Sequence, residues 1–144
     1  MRKLMLLALV VLLMLGMVAA PATGSPKNPF VGSWENTDIV DGSHQHMSIG
    51  GGPGHFRYRD DAATACDDAG LGFVPASLSG FGEFVDETTF AFTADLYCHV
   101  RGPGGRHLLA EISLTFFYDS GTDTLSDSFG QGCWYRSGNP GSCS

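Results

Sequence analysis

The chain is predicted to be all-β: an antiparallel up-and-down β-barrel of about eight strands, following a cleaved N-terminal signal peptide. Three observations lead there. Short segments in which apolar and polar residues alternate recur from Phe30 to Arg136. Glycine-, aspartate- and proline-rich breaks separate them at hairpin length. No stretch of that region carries a helical period with a cap at each end. Hairpin-length connections favour a meander, because each strand can pair with its predecessor.

Residues 1–22 read as the signal peptide. Arg2 and Lys3 form a positive start, Leu4 to Val18 is apolar, and small residues follow at Ala19, Ala20 and Ala22. The apolar run falls short of the roughly 20 residues that a membrane span needs, so no membrane association is expected of the mature form. Residues 23–29 are rich in Pro, Gly, Ser and Thr and form a flexible lead-in. Residues 30–144 make one barrel domain.

The first strand runs from Phe30 to Asp38. Gly32 lies two residues before Trp34 at its start. A glycine there lets the backbone bend or approach a neighbour closely, and the indole fills the space so opened. Asp41-Gly42 offers a tight turn into the second strand, Ser43 to Ile49. Gly50-Gly51-Gly52-Pro53-Gly54 breaks the chain before the third, His55 to Asp60, with Phe56 and Tyr58 on one face. Ala62 to Cys66 is compatible with a strand or a short helical turn. The strand is favoured, because its neighbours are strands and the segment lacks helix length. Ser77 to Val85 follows. Thr89 to Cys98 then has clean alternation, with Phe90, Phe92, Ala94, Leu96 and Cys98 on one face. Arg106 to Tyr118 is the longest strand, with Leu108, Ala110, Ile112, Leu114, Phe116 and Tyr118 together on one side. Thr124 to Ser128 and Gly132 to Arg136 complete the series.

The net charge is −7, and removing Arg2 and Lys3 leaves six basic residues against fifteen acidic ones. That balance disfavours nucleic acid and anionic membrane as partners, since both call for basic surface. All four cysteines, Cys66, Cys98, Cys133 and Cys143, follow the leader and meet an oxidising compartment after export. Three pairings are open to them. Cys66–Cys98 with Cys133–Cys143 is the favoured set, the second closing a short loop that pins the C-terminus. The expected location is extracellular or periplasmic.

Gly32-Ser33-Trp34 at the start of an exported eight-stranded barrel resembles the calycin group: lipocalins, avidins and their short bacterial relatives. The resemblance covers Phe30 to Arg136, without the Thr-Asp-Tyr signature of lipocalins. It implies that Trp34 plugs a closed end and that Arg136, near the last strand, lies over the indole. It also implies a function, the binding of one small apolar or amphipathic molecule inside the barrel. Tyr58, Phe90, Phe92, Leu108, Ile112 and Phe116 are the residues expected to line that space. Small bacterial protease inhibitors built on a similar barrel supply the alternative: a secreted protein-interaction barrel with no enclosed ligand. A filled interior is as compatible with the aromatic supply as an open one.

The other polar groups each have a plain structural role beside any functional one. His44 and His46 point to one strand face, and with His55, His99 or His107 would offer nitrogen ligands; solvent-facing polar residues explain them as well. Asp119, Asp123 and Asp127 offer oxygens, but without the spacing of an EF-hand. Asp60-Asp61 and Asp67-Asp68 read as a solvated acidic edge. Glu83, Asp95 and Glu111 lie on strands where glycosidase-like pairing would be conceivable, but nothing singles out two of them. No Gly-x-Ser-x-Gly motif is present. No enzyme activity, metal or cofactor is expected; a protein partner remains compatible with the Gly/Pro loops.

Overall fold

The computed structural model describes residues 28–102, 105–130 and 132–143; the expected signal peptide, 1–22, and residues 23–27 of the lead-in lie outside them. The elements are β1 (Gly32–Thr37), β2 (His44–Ile49), β3 (His55–Ala63), α1 (Thr64–Asp68), β4 (Val74–Phe84), β5 (Thr89–Cys98), β6 (His107–Asp119), β7 (Thr124–Asp127), β8 (Cys133–Arg136) and a 3-10 turn, Pro140–Cys143. Each strand pairs antiparallel with its predecessor. The circle closes where Trp34 and Glu35 face Arg136 and Tyr135. This is a closed eight-stranded barrel in up-and-down order. Closure leaves no free sheet edge.

The strand pleat sends alternate side chains inward. Trp34, Asn36 and Asp38 enter from β1 and its end, Gln45, Met47 and Ile49 from β2, and Phe90, Phe92, Ala94, Leu96 and Cys98 from β5. One end is sealed by aromatic packing. Phe30 is fully buried and meets Phe84, Phe90 and Tyr118 at ring separations of 6.1, 5.8 and 6.0 Å. A middle layer continues through Phe56 on Phe92, Phe92 on Phe116 and Phe116 edge-on to Trp134. Such pairs add roughly 0.5–1.5 kcal/mol each beyond the area they bury. At this closed end Gly54, with φ +67°, accepts a hydrogen bond at its carbonyl from the N–H of Gly82 at 2.9 Å. A Cβ on Gly54 would stand 2.5 Å from the Gly82 oxygen, so only glycine allows the approach.

Two expectations need correction. Ala62 to Cys66 is a strand only in its first two residues: β3 ends at Ala63 and α1 takes over at Thr64. Ala63 is the last residue to pair with β4, opposite Val74, so an extended chain beyond it would find no partner. One helical turn instead carries fully buried Cys66 back to the end of β5, where it is bonded to Cys98. The second disulfide joins Cys133 and Cys143, as expected. The alternation of β6 also breaks. Leu96 faces Ala110 and Tyr97 faces Leu108, so Leu109 is an extra residue, a β-bulge. Leu108 is thereby turned to the outer face beside Tyr97 and is 60 % exposed, while Leu109 packs against the core. Among the described residues no helix is long and apolar enough to cross a membrane.

Candidate functional site

The two ends of the barrel differ. At the closed end the Arg136 guanidinium carbon lies 3.8 Å from the centroid of Trp34, which is fully buried. Arg136 donates from Nη1 to the Val31 carbonyl at 3.0 Å and from Nη2 to the Pro29 carbonyl. It pairs with Asp123 at 3.1 Å. The indole Nε1 donates to the Phe30 carbonyl at 2.8 Å. Arg136 thus ties the segment before β1 across the barrel end. Gly32, at φ +145°, is what makes room: a Cβ there would stand 2.8 Å from Arg136 Nη1. Trp34 and Arg136 thus pack against each other at this end, with Phe30 buried beside them.

At the opposite end the interior is not filled. A cavity of about 310 Å³ opens between the β1–β2 connection, α1 and the start of β8. Its walls are apolar on one side, formed by Ala63, Ala76, Leu78, Leu96, Ile112 and Leu114. Trp134 makes the floor, resting on Phe116 below and 5.9 Å from the Tyr58 ring. The other side is acidic: Asp38, Asp60, Asp68 and Asp127 all border it. Val40 and Phe129 stand exposed at its rim.

A hydrogen-bonded network holds the acidic wall. Asn36 Nδ2 donates to Gln45 Oε1 at 2.9 Å, and Gln45 Nε2 donates to Asp38 Oδ2 at 2.7 Å and to Asp60 Oδ2 at 3.3 Å. Asp60 Oδ1 accepts from Ser43 Oγ at 2.8 Å and from the Ala62 N–H at 3.0 Å. The Val40 N–H donates to Asp38 Oδ1 at 2.7 Å, and Trp134 Nε1 donates to Asp127 Oδ2 at 3.3 Å. Tyr58 OH donates to Asp60 Oδ2 at 3.4 Å. Burial pushes the Tyr58 phenol well above its ordinary range, and the charges of Asp60, Asp38 and Asp127 push it further. Among the described residues no buried side-chain polar atom lacks a partner.

The residues expected to line a ligand site divide three ways. Tyr58 and Ile112 border the cavity. Phe90, Phe92 and Phe116 are buried in the packed layers beneath it. Leu108 is on the outside, displaced by the bulge. Asp60 departs from the expected solvated edge: it is 4 % exposed and belongs to the inner network, while Asp61 pairs with Arg59 on the surface. The remaining polar candidates do not converge. His44 and His46 stack at 6.1 Å on the outer face, and His99 Nε2 shares a hydrogen bond with Ser77 Oγ instead. Asp119 and Asp123 flank the closed-end turn, whereas Asp127 is at the mouth. Glu83, Asp95 and Glu111 are exposed on the outer surface. Among the described residues no group of three His, Cys, Asp or Glu side chains could hold a metal ion.

The sequence reading leaves Asp38, Gln45 and Trp134 unremarked, puts Asp60 at a solvated edge and offers Asp127 only as a cation ligand. The signal that marks Asp38, Gln45 and Asp60 as inward-facing is phase. Asp38 follows Trp34 and Asn36 at steps of two, Gln45 precedes Met47 and Ile49, and Asp60 follows Phe56 and Tyr58. A polar residue in step with an apolar stripe points inward with it.

The chain matches no protein-family model, no curated protein and no solved structure.

Proposed function

We propose that this is an exported barrel that takes up one small amphipathic molecule in its mouth. The observation that carries this reading is the half-filled interior: dense aromatic layers below, a cavity of about 310 Å³ with an apolar wall above. At the packing of an organic liquid, about half of that space becomes molecule, so a body of ~170 Å³ fits. Small-ligand sites are typically concave, mostly apolar and edged with a few fixed polar groups. The two disulfides support an oxidising, extracellular or periplasmic setting, and the leader-like 1–22 supports export.

Native mass spectrometry of the protein from its own exported fraction tests the reading, together with displacement of an apolar fluorescent probe. A retained small molecule is expected, and Ala76→Phe, which fills the cavity from β4, is expected to abolish probe uptake. Equal uptake by wild type and Ala76→Phe would overturn it.

A second reading, a secreted protein-interaction or inhibitor-like barrel, draws on the exposed apolar rim of Ile39, Val40 and Phe129. It predicts that polar substitution of these rim residues removes a partner while leaving probe uptake intact.

A further inference from the structure

We propose that the molecule the mouth accepts is an organic cation: a ring-sized apolar body carrying a protonated amine or guanidine head that lies against Asp38 and Asp60. The inference rests on the small-molecule reading above and narrows it.

Three features of the cavity point the same way. First, its border contains four aspartates and, among the described residues, no lysine, arginine or histidine. Second, Asp38 and Asp60 are only 9 % and 4 % exposed, and both accept a hydrogen bond from the same Gln45 amide nitrogen. Their donors are neutral groups: Gln45, Ser43, Tyr58 and two backbone N–H groups. Hydrogen bonds from neutral donors orient a carboxylate without cancelling its charge, and burying an unneutralised charge is costly. A cation entering the cavity supplies the missing neutralisation in a poorly screened place, where it is worth more than in water. Third, the Tyr58 and Trp134 rings border the same space, and aromatic faces attract cations.

The opposite wall selects against an inorganic ion. Ala76, Leu78, Leu96, Ile112 and Leu114 offer no oxygen or nitrogen from their side chains, so a hydrated metal ion would leave that surface unused. An apolar body covers it. An anionic ligand meets the aspartates unfavourably, and a neutral one leaves them as they are. The acidic balance of the whole chain, −7, draws cations toward the mouth in addition.

Isothermal titration of the purified, oxidised protein with two matched sets tests this. One set is phenethylamine, phenethyl alcohol and hydrocinnamate; the other is tryptamine, tryptophol and indolepropionate. Each set keeps the body and changes the head from cation to neutral to anion. The expected result is one-to-one binding of an amine at least about tenfold tighter than its alcohol, a difference of roughly 1.4 kcal/mol, with no measurable binding of the acid. Asp38→Asn and Asp60→Asn are each expected to remove most of that preference, read as the ratio of amine to alcohol affinity on the same variant. The amine preference on unaltered protein does not depend on either variant folding. An alcohol that binds as tightly as its amine, or an acid that binds tighter, overturns the cationic assignment and leaves the cavity reading standing. Full displacement of the amine by millimolar calcium overturns it in favour of a metal. Silence from all three heads on both bodies overturns the cavity reading and this inference together.

Discussion

Arg136→Met should loosen the closed end of the barrel and cost about 4 kcal/mol. The side chain is 26 % exposed and does three things at once: it covers Trp34 at 3.8 Å, donates to the carbonyls of Val31 and Pro29, and pairs with Asp123. A hydrogen bond from a charged donor contributes about 1.5 kcal/mol at the low end of its range, so the two carbonyls supply about 3 kcal/mol. The cation over the indole adds about 1 kcal/mol at this partial burial. Asp123 is 47 % exposed, so its ion pair is screened and adds at most a few tenths of a kcal/mol. At about 4 °C per kcal/mol for a domain of this size, the melting temperature should fall by about 16 °C. Urea unfolding followed by tryptophan fluorescence measures the loss, and the native emission should shift to the red as water reaches Trp34. Arg136→Lys should recover less than half, because one ammonium cannot span two carbonyls and cover a ring. A loss under about 1 kcal/mol for Arg136→Met would refute the account of how this end is closed.

Leu109→Asp should destabilise by about 2 kcal/mol, because Leu109 packs on the core, whereas Leu108→Asp should stay within about 0.5 kcal/mol; paired denaturation curves in the reverse order would show that the bulge is misplaced. Replacing Cys66 and Cys98 by Ala together should cost about 3–4 kcal/mol, given the 32 residues that their bond spans, as read by thermal melts under identical buffer. The Tyr58 phenol should resist ionisation when the folded protein is titrated by ultraviolet absorbance through pH 10. Its raised folded value means that the unfolded chain loses this proton first. Stability is therefore fully kept below about pH 10 and falls above it, by up to about 1.4 kcal/mol per pH unit. Tyr58→Phe should remove that alkaline slope, and an unchanged slope would show that the phenol is not held among Asp38, Asp60 and Asp127.

Much of the barrel was legible because it follows from short-range rules. Thr89 to Cys98 alternates without interruption and is β5 to the residue. Gly32 and Trp34 were readable as a pair because a missing Cβ and a large ring so close in sequence imply a close approach, and Arg136 is what approaches. The Cys133–Cys143 bond follows from a short loop rich in turn residues. The failures share a cause. Leu108 was assigned inward by counting along one strand, but a bulge is decided between two strands, where Leu96 and Tyr97 meet Ala110 and Leu108. Ala62 to Cys66 was read as extended because its neighbours are, yet β4 offers no partner beyond Val74.

By itself, the order of residues determined the strands, the turns between them and the oxidised cysteines, since each depends on groups only a few positions apart or on the redox setting. Only the closed barrel decided that aromatic rings fill one half while the other stays open, and that Asp38, Gln45 and Asp60 meet across β1, β2 and β3. The physical reason is that the space left at any height of a barrel is the interior area minus the volumes arriving from all eight strands at that level. No single strand carries that difference, so the cavity cannot be read from one strand at a time, even though each strand's phase marks the polar residues that turn inward.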